Sequence, residues 1–215
     1  MIVSRERGYV FVHIPKTGGT ALTVALEARA AKDDIIVGDT PKAKARRRRL
    51  SQITTRGRLW KHSTLADMEG LVTPAELPGL FIFALVRNPW DRLVSYYHWL
   101  QGQTFDHVAV GLAKTLNFNG FLNHAQVQAS LVAWPYGKYC CDSSGADRCR
   151  LWIRLEHFAE DVAPLEAHLG FRLAPLGVVN ASGRSADYRR FYSDADAERL
   201  AMLCAEDIAR FGYVF

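Results

Sequence analysis

Within residues 13–20, HIPKTGGT, a lysine, two threonines and a pair of glycines occupy adjacent positions, a combination whose chemistry is anion binding. Gly18 and Gly19 let the backbone approach a ligand closely, Lys16 brings a point charge, and Thr17 and Thr20 bring hydroxyl donors. The order is not that of a Walker A loop, because Lys16 precedes both glycines instead of following the last one.

Such a loop works only if a strand and a helix hold it. Tyr9, Val10, Phe11, Val12 and Ile14 are β-branched or aromatic with only His13 interrupting, the composition of a strand buried on both faces of a parallel sheet, and Pro15 ends it. Residues 20–29, TALTVALEAR, have helix-forming composition, so a helix is expected to begin at the glycines. Its unpaired first N–H groups and positive dipole end favour a phosphate or sulfonate. A second apolar strand, residues 80–86, runs without a gap into RNPWDRLVSYYHWL. Asn88 suits the N-cap, Pro89 the first helical position and Asp91 the return arm of a capping box, while Leu93, Val94, Tyr97 and Leu100 recur at helical spacing. Arg87 ends the strand and Ser95 lies two turns into the helix. Earlier in the chain, Ser63 or Thr64 can cap a short helix through Met68, which sets His62 where an imidazole could reach a cleft.

HIPKTGGT resembles the 5′-phosphosulfate loop of the sulfotransferases that use 3′-phosphoadenosine 5′-phosphosulfate (PAPS), especially the carbohydrate branch and its short bacterial relatives. The resemblance implies that Lys16, Thr17, Gly18, Gly19 and Thr20 hold the 5′-phosphosulfate and that Arg87 and Ser95, at the family's separation, bind the 3′-phosphate. A guanidinium fork and a hydroxyl suit that dianion. Residues 180–184, NASGR, resemble the late segment that closes over the nucleotide, which would bring Arg184 to the 3′-phosphate. RLEHFAEDV resembles a third recurring segment that is mainly structural, so Glu156 and Asp161 receive no catalytic role. His62, between the two phosphate motifs, is placed like the catalytic histidine of the carbohydrate branch. An imidazole with an ordinary pKa of about 6.5 can accept a hydroxyl proton near neutral pH. Lys16 is the second expected catalytic residue, helping the leaving oxygen; no metal is required, because the sulfuryl group carries less charge than a phosphoryl. His13 is expected to brace the loop through a hydrogen bond and His98 to belong to the scaffold.

These readings imply an α/β, P-loop-like three-layer fold, a central parallel sheet with helices on both faces and the ligand at the carboxyl ends of the strands. Residues 34–37 and 151–155 are further strands, residues 104–134 are helical with breaks near Asn117–Gly120, and Ser193 with Asp196 caps the last helix before Gly212. At 215 residues, 49% hydrophobic and 23% charged, the chain suits one domain, residues 1–215. Of 27 basic residues, six lie in residues 42–49, KAKARRRR, leaving 21 against 22 acidic groups elsewhere. That run is a solvated face or a funnel for an anionic acceptor, and it lacks the interleaved aromatics that would favour nucleic acid. No apolar run approaches the ~20 residues of a membrane span, and the expected location is cytoplasmic. Cys140, Cys141 and Cys149 flank a hairpin-like polar loop, so a bridge from Cys149 to one of the pair is geometrically possible; reduced thiols are the default reading, and a fourth nearby ligand for zinc is lacking.

The expected activity is sulfuryl transfer from PAPS to a hydroxyl acceptor, with a carbohydrate among the candidates. Trp60, Trp99, Trp134 and Tyr136 could stack on a sugar, although buried core is the default for each. The rival readings are a small P-loop kinase, which lacks the lysine position and a clear magnesium carboxylate, and a non-catalytic nucleotide- or RNA-binding module using the basic run.

Overall fold

The computed structural model describes residues 1–177 and 187–215. The chain divides into two compact units, Met1–Val86 with Tyr136–Val179, and Arg87–Pro135 with Asn180–Phe215.

The first unit is built on a five-stranded sheet. Its strands are β1 (Ile2–Ser4), β2 (Tyr9–Val12), β3 (Ile35–Ile36), β4 (Phe81–Val86) and β5 (Leu151–Arg154), in the order β3-β1-β2-β4-β5. β2, β4 and β5 run parallel, as expected. The first strand is an addition to that expectation: β1 pairs antiparallel with β2 and with β3, so the sheet is mixed with a parallel centre. A turn closed by the bond from the Gly8 amide to the Arg5 carbonyl (3.2 Å), with Gly8 at φ 63°, makes the hairpin. A strand of three residues is too short to show a period of two.

β2 is buried along its whole length, as a strand covered on both faces must be. Tyr9 and Phe11 face one way with Phe83, Leu85 and Ile153, and they pack on Leu22 and Leu26 of helix α1 (Gly19–Glu27) and on Ala43 of α2 (Pro41–Arg46). Phe11 and Phe83 are register partners whose rings stack at 5.3 Å and 20°, a contact worth about 0.5–1.5 kcal/mol beyond its area. Val10, Val12, Ile82, Ala84 and Val86 on the opposite face are buried too.

The second unit is helical. It contains α3 (Pro89–Gln101), α4 (Val108–Thr115), α5 (Phe118–Leu122) and α6 (Ala125–Ala133); Asn117 falls at a break as expected and caps α5, whereas Asn119 and Gly120, also expected to break the helix, lie inside α5, and the next break comes at Asn123 and His124. The stripe Leu93, Val94, Tyr97 and Leu100 of α3 is buried. In the first unit α7 (Tyr136–Cys140) packs on β4, and α8 (Phe158–Asp161) and α9 (Ala163–Leu169) follow β5, ending at Gly170 with φ 74°. The chain closes with α10 (Asp194–Leu203) and α11 (Ala205–Phe211) in the second unit. The Ser193–Asp196 capping box forms, and Asp196 is buried beneath bonds from Asn119 (2.8 and 2.9 Å) and Asn123 (2.9 Å). Burial alone would raise its pKa, but the amide and hydroxyl donors around it outweigh that and hold it low.

Among the described residues the four cysteines form no disulfide. Burial, with a thiol contact to Cys149, holds the Cys140 thiol well above its usual range.

Candidate active site

The segment after β2 turns sharply. Lys16 has φ 65°, a left-handed conformation rarely adopted by a residue with a Cβ, and Gly18 has φ 82°. Backbones that alternate in this way form anion-binding nests. Thr17 is fully buried and its hydroxyl donates to the Ile14 carbonyl at 2.9 Å, which ties the loop back onto the strand end. The Thr17 hydroxyl expected to donate to a ligand is thus already bonded to the backbone. Both glycines are required by close approach. A Cβ on Gly19 would lie 2.2 Å from Cδ2 and 2.5 Å from Nε2 of His13, and one on Gly18 would lie 2.7 Å from a Leu155 methyl.

α1 begins on this loop without the features that complete α3 and α10. Its N-cap, Gly18, makes no side-chain cap bond, and the first turn carries no acidic residue. By contrast, Asn88 caps α3 through the Trp90 amide, with Asp91 in the first turn, and Ser193 caps α10. A nine-residue helix whose positive end lacks side-chain compensation is fitted to an external anion.

His13 braces the loop by packing. Its ring lies under Gly19 and stacks on Phe11 at 5.7 Å, and no hydrogen bond from that ring is found among the described residues. This differs from the expected hydrogen-bonded brace: at 6% exposure the ring packs against Phe11, Gly19 and the His62 ring. Burial, followed by the positive groups nearby, holds its pKa well below the ordinary value and keeps it neutral.

The backbone carbonyl of His13 meets His62 instead. Nδ1 of His62 lies 2.8 Å from it, and the two rings meet edge to face at 4.7 Å. A turn locked by Ser63 holds His62 there. The fully buried Ser63 hydroxyl bonds the Arg58 carbonyl (2.9 Å), the Trp60 carbonyl (3.0 Å) and the Trp60 amide (2.9 Å). Before the single 3-10 turn that follows, Ala66–Met68, Thr64 pairs reciprocally with Asp67: the Thr64 amide donates to the Asp67 carboxylate (2.8 Å) and the Asp67 amide to the Thr64 hydroxyl (3.1 Å). The Leu65 amide then bonds the Tyr139 carbonyl at 2.8 Å. Sequence reasoning left open which of Ser63 and Thr64 caps; the N-cap position is Leu65, which makes no side-chain cap bond, while Ser63 locks the preceding turn and Thr64 pairs with Asp67.

In the second unit Arg87 is held by Asp91. The Asp91 carboxylate accepts from Nε (2.8 Å) and Nη2 (2.6 Å) of Arg87, with both side chains largely buried. Asp91 was expected to cap the helix; its bond to Arg87 was missed, although opposite charges four residues apart were visible in the sequence. Ser95 is buried on α3, two turns beyond. Asn88 also donates to the Tyr188 hydroxyl (3.2 Å) and the Val214 carbonyl (3.0 Å), tying the residues after position 187 to the start of α3. Arg184 lies outside the described residues.

The aromatic expectations are corrected in part. Tyr136 is buried, but Trp60 is 49% and Trp134 41% exposed, because neither lies on a strand or on the inward face of a helix. Trp60 stands edge to face with His62 at 5.0 Å. Asp161 clamps Arg154 at the end of β5, through Nε at 2.8 Å and Nη2 at 2.9 Å.

With this geometry in hand, known proteins give a consistent family. The profile of the Sulfotransferase family matches residues 1–213. The crystal structure of mouse sulfotransferase SULT7A1 complexed with PAP matches with a TM-score of 0.56 at 16% identity, covering 96% of this chain and 85% of that one. A sulfotransferase from Alicyclobacillus acidocaldarius matches at 17% identity with a TM-score of 0.34, covering 98% of this chain and 100% of that one. No curated protein sequence matches significantly. The chain belongs to the sulfotransferase family, has its P-loop-like fold and is a sulfuryl-transfer enzyme. Among the described residues no helix is long and apolar enough to cross a membrane.

Proposed function

We propose that residues 1–215 form one PAPS-dependent sulfotransferase domain that transfers a sulfuryl group to an acceptor hydroxyl, with His62 as general base and Lys16 as the cation on the leaving oxygen. The observation that carries this reading is the bond between His62 and the strand end from which the Lys16 loop springs. A carbonyl can only accept, so Nδ1 bears the hydrogen and the basic lone pair of the neutral ring is on Nε2.

In this scheme the amides of residues 17–20 and the uncompensated end of α1 hold the 5′-phosphosulfate. Nε2 of His62 takes the acceptor proton as the acceptor oxygen bonds to sulfur. The bridging S–O bond breaks in line, and Nζ of Lys16 balances the charge that collects on the departing phosphate oxygen. Arg87 and Ser95 are the proposed 3′-phosphate ligands, on resemblance to the family together with the orientation that Asp91 gives Arg87. Arg184 joins them on resemblance alone. Support for PAPS as donor comes from the family and from the PAP bound to mouse SULT7A1.

Thermal shift and transfer assays test this. PAP at a hundredfold excess over Kd should add about 2.7 kcal/mol, or about 5–10 °C in Tm, and AMP much less. Radiolabelled sulfate should pass from PAPS to a hydroxyl acceptor while labelled phosphate from ATP does not. Equal shifts with PAP and AMP would remove Arg87 and Ser95 from the site, and phosphate transfer would overturn the activity.

A further inference from the structure

The first turn of α3 is held from a distant part of the chain. The buried Asn88 gives Oδ1 to the Trp90 amide (3.0 Å) as a helix cap, while its Nδ2 donates to the Tyr188 hydroxyl (3.2 Å) and the Val214 carbonyl (3.0 Å). The buried Trp90 is held at both ends: its carbonyl accepts from the Tyr192 hydroxyl (2.9 Å), and its indole N–H donates to the Ala197 carbonyl of α10 (3.0 Å). Burial keeps the Tyr192 phenol far above its usual range, so it remains protonated and donates. These partners lie 100 to 126 residues along the chain from the turn they hold.

Phe215 wedges among the same side chains. Its ring centroid is 5.6 Å from that of Trp90, and it stands edge to face with Tyr192 (5.5 Å) and Tyr188 (6.0 Å), within the range of attractive aromatic pairs. The Arg189 guanidinium lies over it at 5.9 Å. The turn so held also carries Asp91, whose carboxylate accepts from Nε and Nη2 of Arg87, and Arg87 adjoins Asn88 in the chain. A small rotation of the turn therefore carries the carboxylate, and the plane of the guanidinium with it.

We propose that Asn88 and Phe215 are positioning residues for Arg87 and that, through it, they set how strongly the protein prefers a 3′-phosphorylated nucleotide to one without that phosphate. The assignment rests on the placement of Arg87 at the 3′-phosphate in the reading above. A guanidinium binds a phosphate through two parallel N–H···O bonds, whose strength depends on the orientation of the fork. Loosening the turn misaligns the fork and weakens only the contacts to the 3′-phosphate. A role confined to folding would change PAP and AMP affinities together.

Titration of PAP and AMP against a set of variants tests it, with circular dichroism confirming the fold of each. Asn88→Ser keeps a capping oxygen but lacks the amide donors, Phe215→Ala removes the wedge, and Phe215→Tyr keeps a ring. Asn88→Ser and Phe215→Ala should each weaken PAP binding about three- to tenfold and leave AMP within about twofold, while Phe215→Tyr binds PAP as the native protein does. In an Arg87→Ala background, adding Asn88→Ser should lose no further PAP affinity, because the fork it aims is gone. The assignment is overturned by equal weakening of PAP and AMP, by native PAP affinity in the folded variants, or by losses that add in the double variant. Where Phe215→Ala does not fold, Asn88→Ser and the double variant decide. An Arg87→Ala protein that keeps its full preference for PAP would remove the 3′-phosphate placement and this inference together. Loss of that preference in Arg87→Ala, with none in Asn88→Ser or Phe215→Ala, would remove this inference alone.

Discussion

Nδ1 of His62 lies 2.8 Å from the carbonyl oxygen of His13, across 49 residues of chain. The contact joins the strand end that opens the phosphate motif to the turn carrying the candidate base, and it sets that ring's tautomer. His62→Ala should lower kcat by about 10² to 10⁴ while PAP still binds. kcat/KM of the native protein should fall on the acid side as the ring protonates. Near-native turnover in the variant, with the acid limb intact, would move the role elsewhere.

Lys16 acts on charge that develops as the bridging bond breaks. Lys16→Ala should therefore reduce kcat far more than PAP affinity, since the end of α1 remains. An unchanged kcat in the folded variant would end the assignment. The φ of 65° adds a stability test: Lys16→Gly should be more stable than Lys16→Ala by about 1 kcal/mol, because alanine keeps the left-handed penalty. Denaturant melts compare the two.

Arg87 is held in place by Asp91, so its guanidinium fork can be presented without further ordering. Arg87→Ala should weaken PAP binding roughly ten- to a hundredfold and AMP binding hardly at all. Arg87→Lys should recover little, because an ammonium lacks the fork. Titration of both nucleotides against both variants reads this directly; parallel losses for AMP would place Arg87 away from the 3′-phosphate.

His13 predicts a pH dependence of stability. Burial holds its folded pKa well below the ordinary value, so the unfolded chain binds more protons below pH 6.5 and stability falls as the solution is acidified. The slope from this one group approaches about 1.4 kcal/mol per pH unit. Melts at pH 7.5 and 5.5 should show a larger Tm loss in the native protein than in His13→Gln, and equal losses would contradict it.

Gly19 lies against that same ring. Gly19→Ala should destabilise by about 1–3 kcal/mol, since the His13 ring has nowhere to retreat, and should also weaken PAP binding by displacing the first turn of α1. Native stability and PAP affinity in that variant would show that the ring yields.

Much of this protein was legible from local sequence. β2, β4 and β5 are apolar runs bounded by turn residues, α3 carries its cap and its stripe, and Ser193 with Asp196 forms its capping box, because each depends on residues a few positions apart. The phosphate loop was legible for the same reason: glycines, lysine and helix start are contiguous. Tertiary structure alone decided the contacts between distant segments. It paired the three residues of β1 with β2 and β3, set the His13 ring under Gly19, and fastened Arg46 and Arg49 of the basic run to carbonyls 12 to 17 residues away. Which hydroxyl locks a turn, and whether Asp91 reaches backbone or guanidinium, depends on where the chain brings a partner of matching charge and geometry. Residue type and spacing do not encode that position; packing of the whole unit does.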